Sequence, residues 1–417
     1  MKIPPNESTT RHDAYAAFRL SSFRFYFTGH TILILGWQMQ KVAVLWEIYE
    51  RTDSALHLGY VGLVQFAPFA ALAVFAGHVT DTYNRKNILM VAATVNALAA
   101  AGLAWNSAYG TVMLTYAFLF AGGCARAFQM PARRSFLPRI VPRAVFPNAV
   151  SWHSSGFELS SMAGPALGGL FIATFGTAMP IYLINSAGLL TFVMLVSVIP
   201  FVHKKVKETT MSIESVLVGF RFIKKSPVVF AAITLDMLGV LLGGAVALMP
   251  VFARDILQVG PQGLGWLMAA PAVGAFSMAL LQAHMRPARN AGHRLLAAVI
   301  GFGLATIVFG LSRNFALSLC ALFLLGVCDN ISVVIRGVLV QMLTPDKMRG
   351  RVSAIDGLFI GTSNELGAFE SGMVAGLLGP VISVVSGGIG TIVVVGAVAW
   401  IWPQLRRYGA LDTQGPD

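Results

Sequence analysis

Six side chains that could do chemistry lie inside long apolar stretches of the sequence, where ionisable and polar groups are otherwise rare. They are His30, Trp37, Arg126, Glu158, Asp236 and Asp329. An ionised group in such a stretch is unfavourable unless it faces a cavity or a partner of opposite charge. Each acid is therefore a candidate to bind a cation or a proton, or to hold two helices together in a structural ion pair. An imidazole, whose ordinary pKa is about 6.5, can exchange protons near neutral pH.

Two arginines in the same stretches have more than one possible role. Arg126 is a candidate to neutralise Asp329 or to bind an anionic group of a ligand. Arg336 lies two helical turns from Asp329, a rise of about 10 Å, so a direct bridge within one helix is not expected. Because Arg336 is close to the end of its apolar stretch, we expect its side chain to extend to the membrane surface.

The elements that must position these residues follow from the composition. Of the 417 residues, 56% are hydrophobic and 12% are charged, whereas a soluble globular chain carries roughly 25% charged residues. This composition excludes a soluble enzyme. Because a membrane-spanning helix needs about 20 apolar residues, the sequence predicts an all-α membrane protein with twelve transmembrane helices. They fall near residues 23–47, 57–79, 87–106, 110–131, 146–175, 178–201, 227–253, 262–284, 293–311, 314–337, 350–376 and 379–402.

Lysine and arginine are concentrated in alternate connections between the predicted spans. Most of the 30 basic residues, including those of the N-terminal tail, fall on one side of the membrane, while Arg51, Arg254 and Arg313 fall on the other. An excess of basic residues marks the cytoplasmic side. The pattern predicts a multi-pass protein of the cytoplasmic (inner) membrane with both termini in the cytoplasm. It also accounts for the net charge of +12 without a nucleic-acid partner.

The sequence lacks the usual motifs of catalytic and metal centres. Its three cysteines have neither CxxC spacing nor the spacing of a disulfide framework. Neither a GxxxxGK[ST] loop nor an HExxH motif occurs. We therefore expect no enzyme activity, no metal and no cofactor. The polar N-terminus lacks the features of a cleaved signal, so the first span is expected to be retained.

The predicted spans form two sets of six that align with each other, for example with Gly59 on Gly265. Residues 1–201 and 227–417 are accordingly predicted to form two pseudo-symmetric six-helix bundles. The connection between them, residues 202–226, is predicted to be cytoplasmic and to contain an amphipathic helix.

The alignment of the two sets pairs side chains of opposite charge. At an offset of 206 residues His30 falls on Asp236, and at an offset of 203 residues Arg126 falls on Asp329. Residues related by a pseudo-two-fold axis along the membrane normal lie at similar depths. We therefore expect each pair to face one another across the gap between the bundles.

The connection after the second predicted span reads GHVTDTYNRK. It has a glycine at its start, an acid four residues later and a basic pair at its end, which are Gly77, Asp81, Arg85 and Lys86. This pattern closely resembles the cytoplasmic signature of the major facilitator superfamily. The resemblance implies a cytoplasmic gate in which Asp81 and Arg85 form a charge relay with a helix of the other half. The matching segment of the second half, HMRPARNAGHRLL, lacks the glycine and the acid, so only the first copy is assigned this role.

The fifth predicted span contains the sequence GPALGG, with Gly164, Pro165, Gly168 and Gly169. It is similar to the antiporter motif of the same superfamily, although Ser160 stands where a glycine is expected. The segments FRFYFTGH, GCARAFQMPARRSFLPRIVP and TPDKMRGRVSA look like the drug:proton antiporter branch, which includes macrolide efflux proteins and enterobactin exporters. The likeness covers nearly the whole chain.

The resemblance implies a secondary transporter that works by alternating access, with the six side chains named first lining the pathway of substrate and protons. The main hypothesis is proton-coupled efflux of an amphipathic small molecule, with a cationic drug as the first substrate class to test. Export of a siderophore or metal chelate and uncoupled facilitation stay open as alternatives. The expected partners are the substrate, protons and the lipid bilayer, and the protein is expected to be a monomer.

Overall fold

The computed structural model describes residues 13–201, 213–284 and 290–409, without the side chains at positions 74, 81, 213–217, 245, 347 and 354. The described residues form helices joined by short connections. The α-helices are α1 Ser21–Thr52, α2 Ala55–Thr82, α3 Arg85–Tyr109, α4 Val112–Ile140, α5 Phe146–Phe175, α6 Met179–Val198, α7 Ile213–Lys225, α8 Pro227–Leu242, α9 Met249–Val251, α10 Gly260–His284, α11 Ala291–Leu311, α12 Phe315–Met342, α13 Asp346–Leu378, α14 Pro380–Ile401 and α15 Pro403–Arg406.

Each predicted span corresponds to one long helix, or in one case to two helix segments. Eight of the described helical segments are long and apolar enough to cross a membrane by length and composition. The other four long helices, α1, α4, α5 and α13, carry more polar and charged side chains, among them Lys41, Arg126, Glu158 and Glu365. These four helices therefore contribute charged side chains to the bundle, as α8 and α12 also do.

Two of the predicted spans differ most from the structure. Helix α4 continues to Ile140, nine residues beyond the predicted end at 131, and includes Pro131 and Pro138. Arg133, which was expected in a connection, therefore lies on a helix. The prediction failed because neighbouring packing can accommodate proline in a transmembrane helix, so a Pro does not have to end it.

The seventh predicted span, 227–253, is broken in the structure. Helix α8 ends at Leu242, and after Gly243 and Gly244 a single 3-10 turn leads into the short helix α9. A Cβ atom on Gly244 would lie 2.7 Å from the carbonyl oxygen of Gly367 in α13, so only glycine allows this approach. Irregular backbone at membrane depth is tolerated where it lines a cavity or is buried in protein, and this break lines the cavity described below.

The N-terminal half (residues 13–201) and the C-terminal half (residues 227–409) meet through glycines. Gly59 of α2 packs against Gly372 of α13, and Gly265 of α10 packs against Gly169 of α5. The offsets of 206 and 203 residues align Gly59 with Gly265 and Gly169 with Gly372. These two glycine contacts are therefore copies of each other, related by the repeat seen in the sequence.

The two ends of the bundle are packed differently. We call the end that carries residues 13 and 409 and the Lys- and Arg-rich connections the basic face, and the opposite end the distal face. Near the distal face one hydrophobic core contains side chains from both halves, such as Leu45 and Phe252. Near the basic face each half has a core of its own, represented by Phe136 and Leu339. The halves thus share one apolar core at the distal face and have separate apolar cores towards the basic face.

Polar contacts at the distal rim add to this closure. The hydroxyl of Tyr49 donates a hydrogen bond to the Asp255 carboxylate. The guanidinium of Arg254 lies 2.6 Å from the Asp53 carboxylate and over the ring of Tyr49. These four residues, which we call the distal clamp, join the end of α1 to the segment after α9.

Replacing Gly265 with alanine is expected to open the distal face. The added Cβ would lie 2.6 Å from the carbonyl oxygen of Pro165, and overpacking of this kind costs about 1–3 kcal/mol. Spin labels at positions 107 and 313, in a background without native cysteines, would report a longer distance component. Gly396→Ala is the matched control, because Gly396 has no described neighbour within 4 Å. Identical distance distributions in Gly265→Ala and the unsubstituted protein would contradict the role of this contact.

Candidate functional site

A cavity of about 290 Å³ lies between the two halves near the middle of the long helices. Helices α1, α2 and α4 line it on one side, and α8, α10, α12 and α13 line it on the other. Four of its lining side chains are charged: Lys41, Arg126, Asp329 and Glu365. The lining therefore has two groups of each charge within a mostly apolar wall, which is the composition expected of a small-molecule site.

Arg126 joins the two halves across this central cavity. Its guanidinium lies 3.5 Å from the carboxylate of Glu365 in α13. The same group lies over the rings of Trp37, at 5.3 Å, and Phe69, at 5.6 Å. The structure thus brings Arg126 and Asp329 to one cavity, as the alignment suggested, but the ion pair is formed with Glu365.

Asp329 faces the central cavity without a direct partner. It has no hydrogen bond or ion pair with any of the described residues. A recess of about 20 Å³ separates it from Asp236, which is room for about one water molecule. Asp329 is therefore a carboxylate that a proton, a cation or water can reach.

Three charged residues of the C-terminal half form a closed network beside this recess. Arg336 lies 3.4 Å from Asp236 of α8 and 2.5 Å from Asp356 of α13. The prediction that Arg336 extends to the membrane surface is wrong, because its side chain is only 4% exposed and is held by two acids. Asp356 was missed in the sequence, although it is an acid close to the start of an apolar span.

His30 lies inside the N-terminal half, away from the central cavity. Its ring is 4.1 Å from that of His153 and 5.7 Å from that of Tyr26. The prediction that His30 and Asp236 face each other is wrong. The repeat places them at matching positions, but each side chain is turned into its own bundle rather than towards the gap, and Asp236 pairs with Arg336.

The two remaining predicted pathway residues have different surroundings. Trp37 lines the central cavity and contacts Arg126 through its ring face. Glu158 is half-buried on α5, lines none of the three cavities, and has no hydrogen-bond or ion-pair partner among the described residues. Its place in the pathway stays a prediction.

A second cavity, of about 280 Å³, lies within the N-terminal half. It shares Trp37, Gln40 and Arg126 with the central cavity, so the two spaces adjoin. Most of its polar lining consists of side-chain amides and two arginines, Arg126 and Arg133. No acid is among the residues that line it.

The signature lies at the end of α2, towards the basic face. Gly77 has no described neighbour within 4 Å, and Asp81 occupies the last turn of α2 with its side chain outside the description. Arg85 is buried and donates to the carbonyl of Thr80. Lys86 donates to one carbonyl in the last turn of α6 and to one just after it, at 2.7 and 2.8 Å. The predicted gate role of this motif stays a prediction.

The GPALGG segment of α5 packs tightly on both sides. Gly164 and Gly168 lie against α1, where a Cβ on Gly168 would be 3.1 Å from the Met39 carbonyl oxygen. Pro165 and Gly169 lie against α10 of the other half. The small residues therefore allow α5 to fit between α1 and α10, as expected for close helix packing in membranes.

Comparisons with known proteins agree with this architecture. Residues 12–416 match the family described as transmembrane secretion effector. The enterobactin exporter EntS of Shigella boydii serotype 18 is 27% identical over 390 residues, covering 93% of both chains. EntS of Escherichia coli O157:H7 has the same identity and coverage.

Solved transporter structures show the same fold. A bacterial homologue of the human lysosomal transporter Spinster, in an inward-facing and unoccupied conformation, has a TM-score of 0.72 at 14% identity, covering 93% of this chain and 99% of its own. The nucleoside transporter NupG has a TM-score of 0.68 at 12% identity, covering 93% of this chain and 99% of its own. The chain accordingly has the fold of two six-helix bundles with twelve transmembrane helices.

Replacing Arg336 with methionine is expected to destabilise the protein. The change leaves Asp236 and Asp356 buried without their cation, and breaking a buried ion pair costs about 3–5 kcal/mol. Thermal unfolding in detergent should show a clear drop for Arg336→Met and little change for the exposed control Arg407→Met. Replacing both acids with asparagine in the Arg336→Met background should recover most of the lost unfolding temperature. An unchanged unfolding temperature in Arg336→Met would rule out a structural role for the network.

Proposed function

Because the chain belongs to the transmembrane secretion effector family of the major facilitator superfamily, we propose that it exports an amphipathic small molecule in exchange for protons. The observation that carries this proposal is the charged central cavity at mid-membrane, closed at the distal face and flanked by separate cores towards the basic face. Such a cavity is suited to alternating access, in which two halves rock about a fixed site. The chain is a membrane transporter and not an enzyme.

The proposed orientation places the basic face in the cytoplasm. Lys and Arg residues cluster at that face, and the positive-inside rule assigns it to the cytoplasmic side of the inner membrane. The structure would then represent the state that is open to the cytoplasm and ready to take up substrate. We take the two halves to be the moving units, with the connection 202–226 between them and a single chain as the working molecule.

Coupling to protons is proposed to use the two carboxylates of the central cavity. In this state Glu365 holds Arg126 across the gap, at 3.5 Å, and Asp329 faces the cavity directly. A cationic group of the substrate would be held by these acids. Protonation would remove the negative charge, release the cation, and loosen the link between the halves. Substrate and protons would thus compete for the same groups, which is the requirement for exchange.

A second candidate is the export of an anionic siderophore or metal chelate. Lys41 and Arg126 line the same cavity, and both can bind an anionic group. The similarity to proteins named as enterobactin exporters also favours this class. Arg126→Gln should weaken transport of an iron tris-catecholate more than that of tetraphenylphosphonium if the substrate is anionic, and the reverse order would favour the cationic class.

The two motifs are proposed to act in closing the cytoplasmic side and in packing the halves. Asp81 and Arg85 would contact the other half once the basic faces meet. Gly77 would permit that approach, because it has free space around it in the present state. Gly169 would form the tight contact to α10 that has to part when the distal face opens.

Neutralising the cavity acids is expected to uncouple transport. In proteoliposomes with an imposed pH gradient, uptake of tetraphenylphosphonium by Glu365→Gln and Asp329→Asn should depend on the gradient at least tenfold less than in the unsubstituted protein. Glu370→Gln is a matched control, since Glu370 lies on the same helix but outside the central cavity. Transport by the unsubstituted protein that ignores the pH gradient would remove proton exchange and leave an uncoupled facilitator.

A further inference from the structure

Arg133 is a guanidinium in the N-terminal half that has no acidic partner among the described residues. It lines the second cavity from α4 and has no hydrogen bond or ion pair with any described residue. Its neighbour in the same lining, Gln129, is buried, and its Nε2 group has no hydrogen-bond partner. A buried donor that lacks an acceptor raises the free energy of the empty site and lowers that of a site filled by an acceptor.

The position that matches Arg133 in the C-terminal half has the acidic partners that Arg133 lacks. The repeat aligns Arg133 with Arg336, and Arg336 is neutralised by Asp236 and Asp356. At the position of Asp236 the N-terminal half has a histidine, and at the position of Asp356, by the offset of 203 residues, it has another. Both acids of the C-terminal network are therefore replaced by imidazoles in the N-terminal copy.

These two imidazoles, His30 and His153, lie against each other with their ring planes tilted by 36°, and both are within electrostatic range of Arg133. The Nε2 atoms of both rings and the hydroxyl of Tyr26, which also lies near Arg133, are buried without hydrogen-bond partners. An imidazole nitrogen or a hydroxyl can donate a hydrogen bond, and a guanidinium only donates. The cluster therefore offers several donors and no negative charge.

We propose that Arg133 and Gln129 bind an oxyanion, a carboxylate or phosphate group, of an amphipathic molecule that enters from the central cavity. His30 and His153 are positioning residues, because they fill the places of the two acids and leave the charge of Arg133 available. The second cavity, about 280 Å³, can hold such a group, while the apolar part of the molecule stays beside Trp37. Guanidinium groups recognise carboxylate and phosphate through paired hydrogen bonds.

The inference rests on the proposed export function only in taking the anion to be part of a transported molecule. Binding itself can be measured without transport. Purified full-length protein in a maltoside detergent would be titrated with dodecyl phosphate, dodecyltrimethylammonium and inorganic phosphate. We expect dodecyl phosphate to bind and the cationic amphiphile with the same tail to bind at least tenfold more weakly. Equal affinity for inorganic phosphate would identify the ligand as a free anion and overturn the amphipathic source.

Arg133→Gln is expected to lower the affinity for dodecyl phosphate at least tenfold. Arg143→Gln, which removes an exposed positive charge from the same region, should leave it unchanged. Binding by Arg133→Gln as tight as that of the unsubstituted protein would overturn the proposed site.

His153→Asp is a second variant that separates this role from a folding defect. It installs the acid that the C-terminal half carries at the matching position, so it should pair with Arg133 and abolish binding of dodecyl phosphate without lowering the unfolding temperature. Full binding in a folded His153→Asp protein would contradict the proposal. If binding behaves as expected while proteoliposomes show no exchange with protons, the anion site stands and the proposed coupling fails.

Discussion

Every charge inside this bundle has to be neutralised by a partner or reached by water, and this constraint organises the structure. Arg336 is buried and forms ion pairs with two acids. Arg126 shares one acid with the opposite half across the central cavity. Lys41 and Asp329 have no enclosed partner and line the cavity itself. The cavity is therefore a consequence of the charge distribution, because filling it with apolar side chains would leave these groups without water.

The same constraint makes the two halves different although their packing is duplicated. Gly164 lies on Leu35 in one half as Gly367 lies on Leu241 in the other. The helices of the two halves thus pack in the same way. The C-terminal half neutralises its buried Arg336 with two acids, whereas the N-terminal half has no acid at the matching positions. A closed ion network ties α8, α12 and α13 together. The N-terminal copy instead has an adjoining cavity, where Arg133 and Gln129 have no acceptor among the described residues.

Depth in the membrane could be predicted from the sequence, whereas the direction of a side chain could not. The lengths of the apolar segments predicted twelve spans, and the predicted limits of α5 agree with the structure. The repeat placed His30 and Asp236 at matching positions, yet both point into their own bundles. Direction around a helix changes by about 100° per residue, so it depends on packing between helices that are distant in sequence. The contact between Glu365 and Arg126 could not be predicted for the same reason, since it joins two helices that are distant in sequence.

The distal face is held by contacts that can part without exposing buried charge. Where α2 meets α13, the closest approach is between Gly59 and Gly372, which have no side chains to leave unpaired. The ion pair of the distal clamp lies at the rim, with Asp53 74% and Arg254 36% exposed, and exposed pairs of this kind contribute only about 0–1 kcal/mol. Opening this face therefore costs mainly van der Waals contact and the shared apolar core. The electrostatic contact between the halves that lies inside the molecule is therefore the Arg126–Glu365 pair of the central cavity, and not the ion pair at the rim.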